Sequence, residues 1–244
     1  MLAIDGLTVS YGTEIAVKNV SLTVSGEVVC LCGRNGAGKS TLLKAVAGIA
    51  DIDSGRILLD GKNVVDIPLH KRLEAGIGYV PEDRKLFNEM TVRENVEVAR
   101  IGARAAGRKD MDVNEFLPEL ASFYDRKSKL LSGGQQKMVS IARAIVASPK
   151  VVLFDELLEG LAQAMAFKIC DVVKRLKAEG KDILCAESSL DKASLYADRV
   201  IWLEQGKIVA MGTPAEIKSQ MMEHIRKMPV GQDFRQGDEG CRPS

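Results

Sequence analysis

The chain has 244 residues, 46% of them hydrophobic, so it can bury a full core; its 34 basic and 33 acidic side chains nearly cancel. That balance excludes a global field that would draw it to DNA, RNA or an anionic membrane. No apolar run approaches the ~18 residues that cross a bilayer, and Met1-Leu2-Ala3-Ile4-Asp5 lacks the basic, apolar and cleavage regions of a signal peptide.

In chain order, Ala3 to Ser10 and Ile15 to Val24 alternate or run apolar around Tyr11-Gly12-Thr13, which predicts two strands and a turn. Val28 to Cys32 reads as a buried strand, and Leu42 to Ala47 as part of a helix starting near Lys39. Between them stands Gly33-Arg34-Asn35-Gly36-Ala37-Gly38-Lys39-Ser40, a complete G-x-x-x-x-G-K-[ST] phosphate loop in the strand–loop–helix context that the motif needs. The glycines let backbone N–H groups close on phosphate oxygens, and the helix N-terminus adds its partial positive charge. On this reading Lys39 reaches the β- and γ-phosphates and Ser40 holds Mg²⁺.

Ser54 to Gly61 predicts a short strand, and Gly76 to Val80 a strand running into Pro81. From Thr91 to about Tyr124 the pattern turns helical, with Asp112 and Glu115 spaced as a capping box. This stretch, about 91–130, is expected to interrupt the core as an inserted subdomain. Arg100, Arg104 and Arg108 recur every four residues, a solvated helix face or a partner contact. Gly133 to Ala147 predicts one helix, and Val151 to Phe154 a strand buried on both faces. A helix over Ala162 to Ala178, a strand over Asp182 to Glu187, a short helix, and strands near Val200 to Leu203 and Lys207 to Met211 follow. The alternation predicts an α/β sheet core in one domain over 1–228, with a loose polar tail over 229–244. Cys30, Cys32, Cys170 and Cys185 lie in apolar patterns and Cys241 in the tail; with no C-x-x-C pair they predict core residues of a reducing compartment. His70 and His224 are far apart, which excludes a histidine metal cluster.

Two further stretches carry chemistry. In Val151-Val152-Leu153-Phe154-Asp155-Glu156 an apolar strand ends in two carboxylates. Asp155 is expected at the strand's carboxyl end, beside the phosphate loop of a neighbouring parallel strand, where it binds Mg²⁺; Glu156 is then placed to orient or deprotonate a water. In Leu131-Ser132-Gly133-Gly134-Gln135-Gln136, Ser132 is a candidate N-cap, and two glycines leave the first helical amides uncovered, a second anion site or an ordinary capped helix.

Together these stretches resemble the ATP-binding subunit of ATP-binding cassette (ABC) transporters, with Leu131 to Gln136 similar to that family's signature motif and the resemblance running from about residue 2 to 224. It implies the ABC ATPase fold: a P-loop NTPase core sheet, an N-terminal antiparallel β subdomain and an inserted helical subdomain. It implies two subunits, alike or related, packed head to tail. ATP then lies between Gly33, Asn35, Gly36, Ala37, Gly38, Lys39, Ser40 and Thr41 of one copy and Ser132, Gly133, Gly134 and Gln135 of the other. Tyr11, 22 residues before Gly33, matches the aromatic that stacks on adenine. Glu82 stands where the family usually has a glutamine that touches Mg²⁺, so the implied metal set is Ser40, Glu82 and Asp155. The implied catalytic set is Glu156, Lys39 and Ser188.

Two departures stand out. Ser188 occupies the switch position, where a histidine usually contacts the γ-phosphate; a serine donates one hydrogen bond but carries no positive charge. Ala162 replaces an aspartate that makes a cross-dimer contact, and Leu157 a proline. Glu159-Gly160-Leu161-Ala162, Pro81-Glu82-Asp83-Arg84, the glutamate before Ser188, and Phe87, Met90, Thr91, Val92, Glu94 and Asn95 resemble importer subunits for branched-chain and other hydrophobic amino acids. The implied partners are membrane permease subunits and, through them, a periplasmic or extracellular substrate-binding protein, with the chain on the cytoplasmic face of the membrane. Alternatives are an ATPase of another importer or exporter (lipid, amide, urea) and an ATP-gated clamp with weak hydrolysis. A DNA- or ribosome-acting relative is disfavoured: only 93 residues separate Lys39 from Ser132, without heptads, and the chain holds one cassette.

Overall fold

The computed structural model describes residues 1–105, 107–108 and 110–227. The tail expected over 229–244, with Cys241, lies outside the described residues, as does the side chain of His224.

Strands β1 (Leu2–Tyr11) and β2 (Glu14–Val24) form an antiparallel pair. After them come β3 (Val28–Cys32), α1 (Lys39–Ala47), β4 (Ser54–Leu59), β5 (Lys62–Asn63), α2 (Leu69–Ala75) and β6 (Ile77–Val80). The helical region holds α3 (Val92–Ala105), α4 (Val113–Phe116) and 3₁₀ turns at Pro118–Phe123 and Ser128–Leu130. The chain then runs through α5 (Gly133–Ile145), β7 (Val151–Asp155), α6 (Gln163–Ala178), β8 (Asp182–Glu187), α7 (Leu190–Ala193), β9 (Arg199–Glu204), β10 (Lys207–Gly212) and α8 (Pro214–Lys227).

Two sheets result. One is antiparallel, in the order β2-β1-β4-β5; the other has the order β10-β9-β3-β8-β7-β6, parallel from β9 to β6 with β10 antiparallel at its edge. Every residue of β3, β7 and β8 is buried: the apolar runs are those of strands covered on both faces, and Asp155, Asp182 and Glu187 at the strand ends are enclosed with them. Alternate side chains sort to opposite faces: Val29, Leu31, Val151, Leu153 and Leu184 join α1 and the antiparallel sheet, whereas Val28, Cys30, Cys32, Val152, Phe154 and Cys185 pack under α5 and α6. Helix α1 is therefore enclosed between the sheets, with Leu42, Leu43, Ala45, Val46 and Ala47 buried. All four described cysteines are buried free thiols, as expected of core residues.

The region predicted as helical from Thr91 to Tyr124 is broken into pieces. Helix α3 starts at a capping box between Thr91 and Glu94: the Thr91 amide donates to Glu94 Oε2 (2.7 Å) and the Glu94 amide to Thr91 Oγ1 (3.2 Å). At the expected box, Asp112 Oδ1 accepts from the backbone amide (2.9 Å) and the side-chain Nδ2 (3.0 Å) of Asn114, and no bond from the Glu115 side chain answers it. Nor do the three arginines share one face. Arg100 and Arg104 pair with Glu97 and Asp110, whereas α3 ends at Ala105 and Arg108, half-buried beyond it, donates to the carbonyls of Glu74 and Ser148.

Arg72 ties α2 to the phosphate-loop helix. Its buried guanidinium donates to the carbonyls of Ile67 (2.8 Å), Val46 (3.0 Å) and Val65 (3.0 Å), placing a cation at the negative end of α1. Arg72→Met leaves these acceptors without a donor and is expected to lower unfolding free energy by about 3 kcal/mol. Urea titration checks it: the midpoint falls while the slope is unchanged.

Candidate functional site

The loop between β3 and α1 closes in backbone conformations that only glycine accommodates. Gly33 has φ +151°, and a Cβ there would stand 2.2 Å from the Leu203 carbonyl oxygen; at Gly38, φ +100°, it would stand 2.4 Å from that of Ala16. Gly38 is also the N-cap of α1, so no side chain covers the first amides, and the first turn holds no acid. The helix thus keeps its N-terminal amides for an outside anion. Lys39, almost fully buried, bends its ammonium onto the carbonyls of Gly33 (2.8 Å) and Arg34 (3.3 Å).

Ser40 Oγ donates to Asp155 Oδ1 (2.8 Å) and Tyr79 OH donates to Oδ2 (3.2 Å), so the buried carboxylate is fixed from both sides. Burial, then the Asp155 charge, push the Tyr79 hydroxyl well above its ordinary range, which keeps it a donor. Asp155 does not sit on the strand next to the loop strand, as the sequence suggests. Strand β8 intervenes, and the contact forms because α1 crosses over β8 toward β7. Ser40 and Asp155 are hard oxygen groups hydrogen-bonded to one another; Ser40 and exposed Glu82 line the cleft, and Asp155 lies buried behind Ser40. No group of three or more His, Cys, Asp or Glu among the described residues could cage a metal. A site with few protein oxygens suits Mg²⁺, which keeps waters and phosphate oxygens in its shell.

Glu156, just past the end of β7, has a left-handed backbone, φ +44°. Its Oε2 accepts from the Ser188 amide (3.1 Å) and its Oε1 lies 3.7 Å from Lys39 Nζ. The Ser188 side chain is exposed, so it is the backbone of Ser188 that holds the carboxylate. Tyr11, 54% exposed, shares a cleft of about 960 Å³ with Asn35 to Thr41, Glu82, Glu156 and Ser188.

The segment from Ser132 does not line that cleft. Ser132 caps α5 in a true capping box: Ser132 Oγ accepts from the Gln135 amide (3.3 Å) and Gln135 Oε1 from the Ser132 amide (3.0 Å). Gln135 is thus engaged with its own helix, while Ser132 is exposed and no acid occupies the first turn. Arg84, φ +62°, lays its guanidinium beside Gly133 and donates to Gln136 Oε1 (3.3 Å).

Two buried groups, Lys137 and Glu187, and the half-buried Tyr79 hold positions that the sequence reading did not assign to the site. Lys137 Nζ donates to the carbonyl oxygens of Asp155 (3.4 Å) and Glu156 (3.1 Å). Glu187 Oε1 accepts from the Leu158 amide (3.1 Å) and Tyr196 OH (3.0 Å), while its Oε2 is buried without a partner. Burial pushes the Glu187 carboxyl up to about 7, against those two donors, and pulls the Lys137 ammonium down. The glutamate of β8 was legible as a residue, but its burial was not.

A protein-family profile described as ABC transporter matches residues 17–159. The chain is 35% identical over 240 residues to the lipopolysaccharide export system ATP-binding protein LptB of Escherichia coli K12, covering 96% of this chain and 98% of that one. It is 35% identical over 223 residues to the high-affinity branched-chain amino acid transport ATP-binding protein BraG of Pseudomonas aeruginosa, covering 89% and 94%. Among solved structures, a dimeric post-hydrolysis state of the ATP-binding cassette MJ0796 with ADP and Pi superposes with a TM-score of 0.77 at 26% identity, covering 88% of this chain and 99% of that one. The chain therefore belongs to the ABC transporter family, as an ATP-binding and ATP-hydrolysing subunit with the fold of its cassettes.

Proposed function

We propose that this subunit hydrolyses ATP in a head-to-tail pair and drives uptake of a branched-chain or other hydrophobic amino acid through membrane permease subunits. The observation that carries the hydrolytic reading is Glu156, whose carboxylate is held by the Ser188 amide and faces Lys39 at the mouth of the phosphate loop. There it can orient a water in line with the γ-phosphorus and take its proton, while Lys39 and the loop amides neutralise charge on the departing phosphoryl oxygens. Ser40, Asp155 and Glu82 are the residues that would hold Mg²⁺, which would supply further neutralisation of the phosphate charge. Tyr11 offers an exposed ring for the adenine.

The uncovered first turn of α5 supports the paired reading. On its own chain it lies outside the cleft, so a second copy or a related subunit must bring Ser132, Gly133, Gly134 and Gln135 onto the triphosphate. A dimeric relative with ADP and Pi has this cassette fold. Among the described residues no helix is long and apolar enough to cross a membrane, so the chain would attach at the cytoplasmic face through its permease. The amino acid reading rests on the stretches at 81–95 and 159–162 and on the likeness to BraG. Lipid export is the second reading, favoured by the likeness to LptB. Co-purification of the permease and transport of labelled leucine in vesicles test the first; leucine transport unaffected by loss of this chain would discard it.

Glu156→Gln is expected to keep ATP binding, to accumulate dimer with Mg-ATP, and to slow phosphate release by roughly 10²-fold or more, the scale of a lost general base. Unchanged release in a colorimetric phosphate assay removes Glu156 from the mechanism. Ser188→His keeps the amide that holds Glu156 and adds an imidazole facing the γ-phosphate. The rate is expected to rise; an unchanged rate makes the side chain at 188 neutral.

A further inference from the structure

We propose that Glu187 and Lys137 are positioning residues for Glu156, a buried clamp that grips the backbone of the turn after β7 from its two sides. The inference rests on the reading of Glu156 as the proposed base. Glu156 has a left-handed backbone without being glycine, a conformation that persists only when its surroundings impose it. The surroundings doing so are visible. From α5, Lys137 takes the carbonyls of Asp155 and Glu156; from the end of β8, Glu187 takes the amide of Leu158. The next residue along β8, Ser188, gives its amide to the Glu156 carboxylate itself. The Glu156 amide donates to the Ala186 carbonyl of β8 (3.0 Å), so backbone and side chain of Glu156 are both referenced to the same strand end.

Glu187 and Lys137 are fully enclosed, so neither is a surface charge that happens to lie nearby. Tyr196 OH donates to the same Glu187 oxygen, leaving Oε2 buried and unpaired. Leu158 and Tyr196 need only an acceptor, and an alcohol or amide would provide one. What a carboxylate adds is a charge-assisted hold on the Leu158 amide when it is ionised. The groups facing it are Lys137 of α5, Glu156 of the turn, Lys192 of α7, Tyr196, Cys185 of its own strand, Cys30 and Cys32 of β3 and Cys170 of α6; after burial, the Leu158 amide, Tyr196 and Lys192 favour its ionised form and the Glu156 charge disfavours it. With the carboxyl held near about 7, the ionised fraction grows as pH rises through neutrality, and the clamp tightens in that direction.

The experiment uses the full chain with Glu187→Ala, Glu187→Gln and Glu156→Gln, measuring MgATP turnover, affinity for a fluorescent ATP analogue, and turnover against pH from acid to alkaline of neutrality. The Ala variant is expected to bind the analogue like the parent and to turn over about 10²-fold more slowly, the scale of a catalytic group displaced by about 1 Å. The Gln variant, which restores an acceptor, should recover most of that loss. It should also lack the rise in rate near neutral pH that the parent shows. An Ala variant turning over at the parent rate overturns the proposal. So does one that loses affinity and turnover together, because that marks a merely structural residue. If the Ala variant does not fold, a Gln variant with the parent's pH profile overturns it as well. Should Glu156→Gln itself hydrolyse normally, the proposed base fails first; a slow Glu156→Gln beside a fast Glu187→Ala sinks the clamp alone.

Discussion

A triphosphate needs several hydrogen-bond donors at one point, and in the proposed site backbone amides would supply most of them, with Lys39 beside them. The loop from Gly33 to Ser40 meets this demand by running where the two sheets press together. The Leu203 carbonyl, near the end of β9, bears on Gly33, and the Ala16 carbonyl of β2 bears on Gly38. The β9–β10 turn is stitched to the same place, with the Gly206 amide donating to Ala37 and the Lys18 amide donating to Gly206. The loop is therefore a joint between the antiparallel sheet and the core sheet as well as a cradle. The loop is held by β2 and by the β9–β10 turn, so in the proposed site nucleotide affinity would depend on the packing of the two layers.

The same geometry explains how buried charges persist at the wall of the cleft. Lys39 is buried with its ammonium on two loop carbonyls and within reach of Glu156, an arrangement that satisfies its donors and leaves a cation aimed at the cleft. Asp155 is saturated by Ser40 and Tyr79. Breaking either pair would leave a buried charge without its partner, which is worse than never having placed it there. Beneath these lie Lys137 and Glu187, outside the cleft and gripping the turn that carries Glu156. The site has an outer layer suited to contact phosphate and an inner layer that fixes the outer one, and the inner layer is where the pH-sensitive carboxyl lies.

The sequence discloses the parts of this arrangement that depend on local pattern. Unbroken apolar runs disclosed β3 and β7 almost residue for residue, since a strand covered on both faces draws chiefly on apolar side chains, and β8 has such a run between Asp182 and Glu187 at its ends. Glycine spacing disclosed the phosphate loop for an equally local reason. Helix α8 was missed although Thr213 and Glu216 form a readable capping box: the Thr213 amide donates to Glu216 and the Glu216 amide to Thr213. Helix α2 has seven residues, too short for periodicity to announce it. The region after Thr91 has helical spacing throughout, but Gly107 takes a positive φ and Pro118 opens a 3₁₀ turn, so the pattern continues where the helix does not. Strand order is not local at all, which is why β8 stood unforeseen between the loop strand and Asp155. The contacts of Tyr79, Lys137 and Glu187 were illegible for the same reason: each looks like an ordinary strand or helix residue until tertiary packing takes away most or all of its water.

Electrostatics at the two helix starts argue for the paired assembly in a way that motif spacing does not. Helix α1 presents its N-terminus with no acid in the first turn and Lys39 at its first position. Helix α5 does the same, with Arg84 laid against Gly133 and, among the described residues, in no ion pair. A helix start is already the positive end of its dipole, and adding a cation there is unfavourable until an anion arrives. Two such ends brought face to face would repel. A nucleotide with its phosphates between them turns that repulsion into attraction, so in the proposed sandwich ATP is the adhesive as well as the fuel. Hydrolysis divides the negative charge between two separable products, and the ends are free to part again. Ala162 bears on how firmly they hold: it is the N-cap of α6 and offers no side-chain oxygen, either to its own helix or across an interface. With that contact missing, the closed state must draw its stability chiefly from the phosphates, and so should loosen promptly once the γ-phosphate is cleaved.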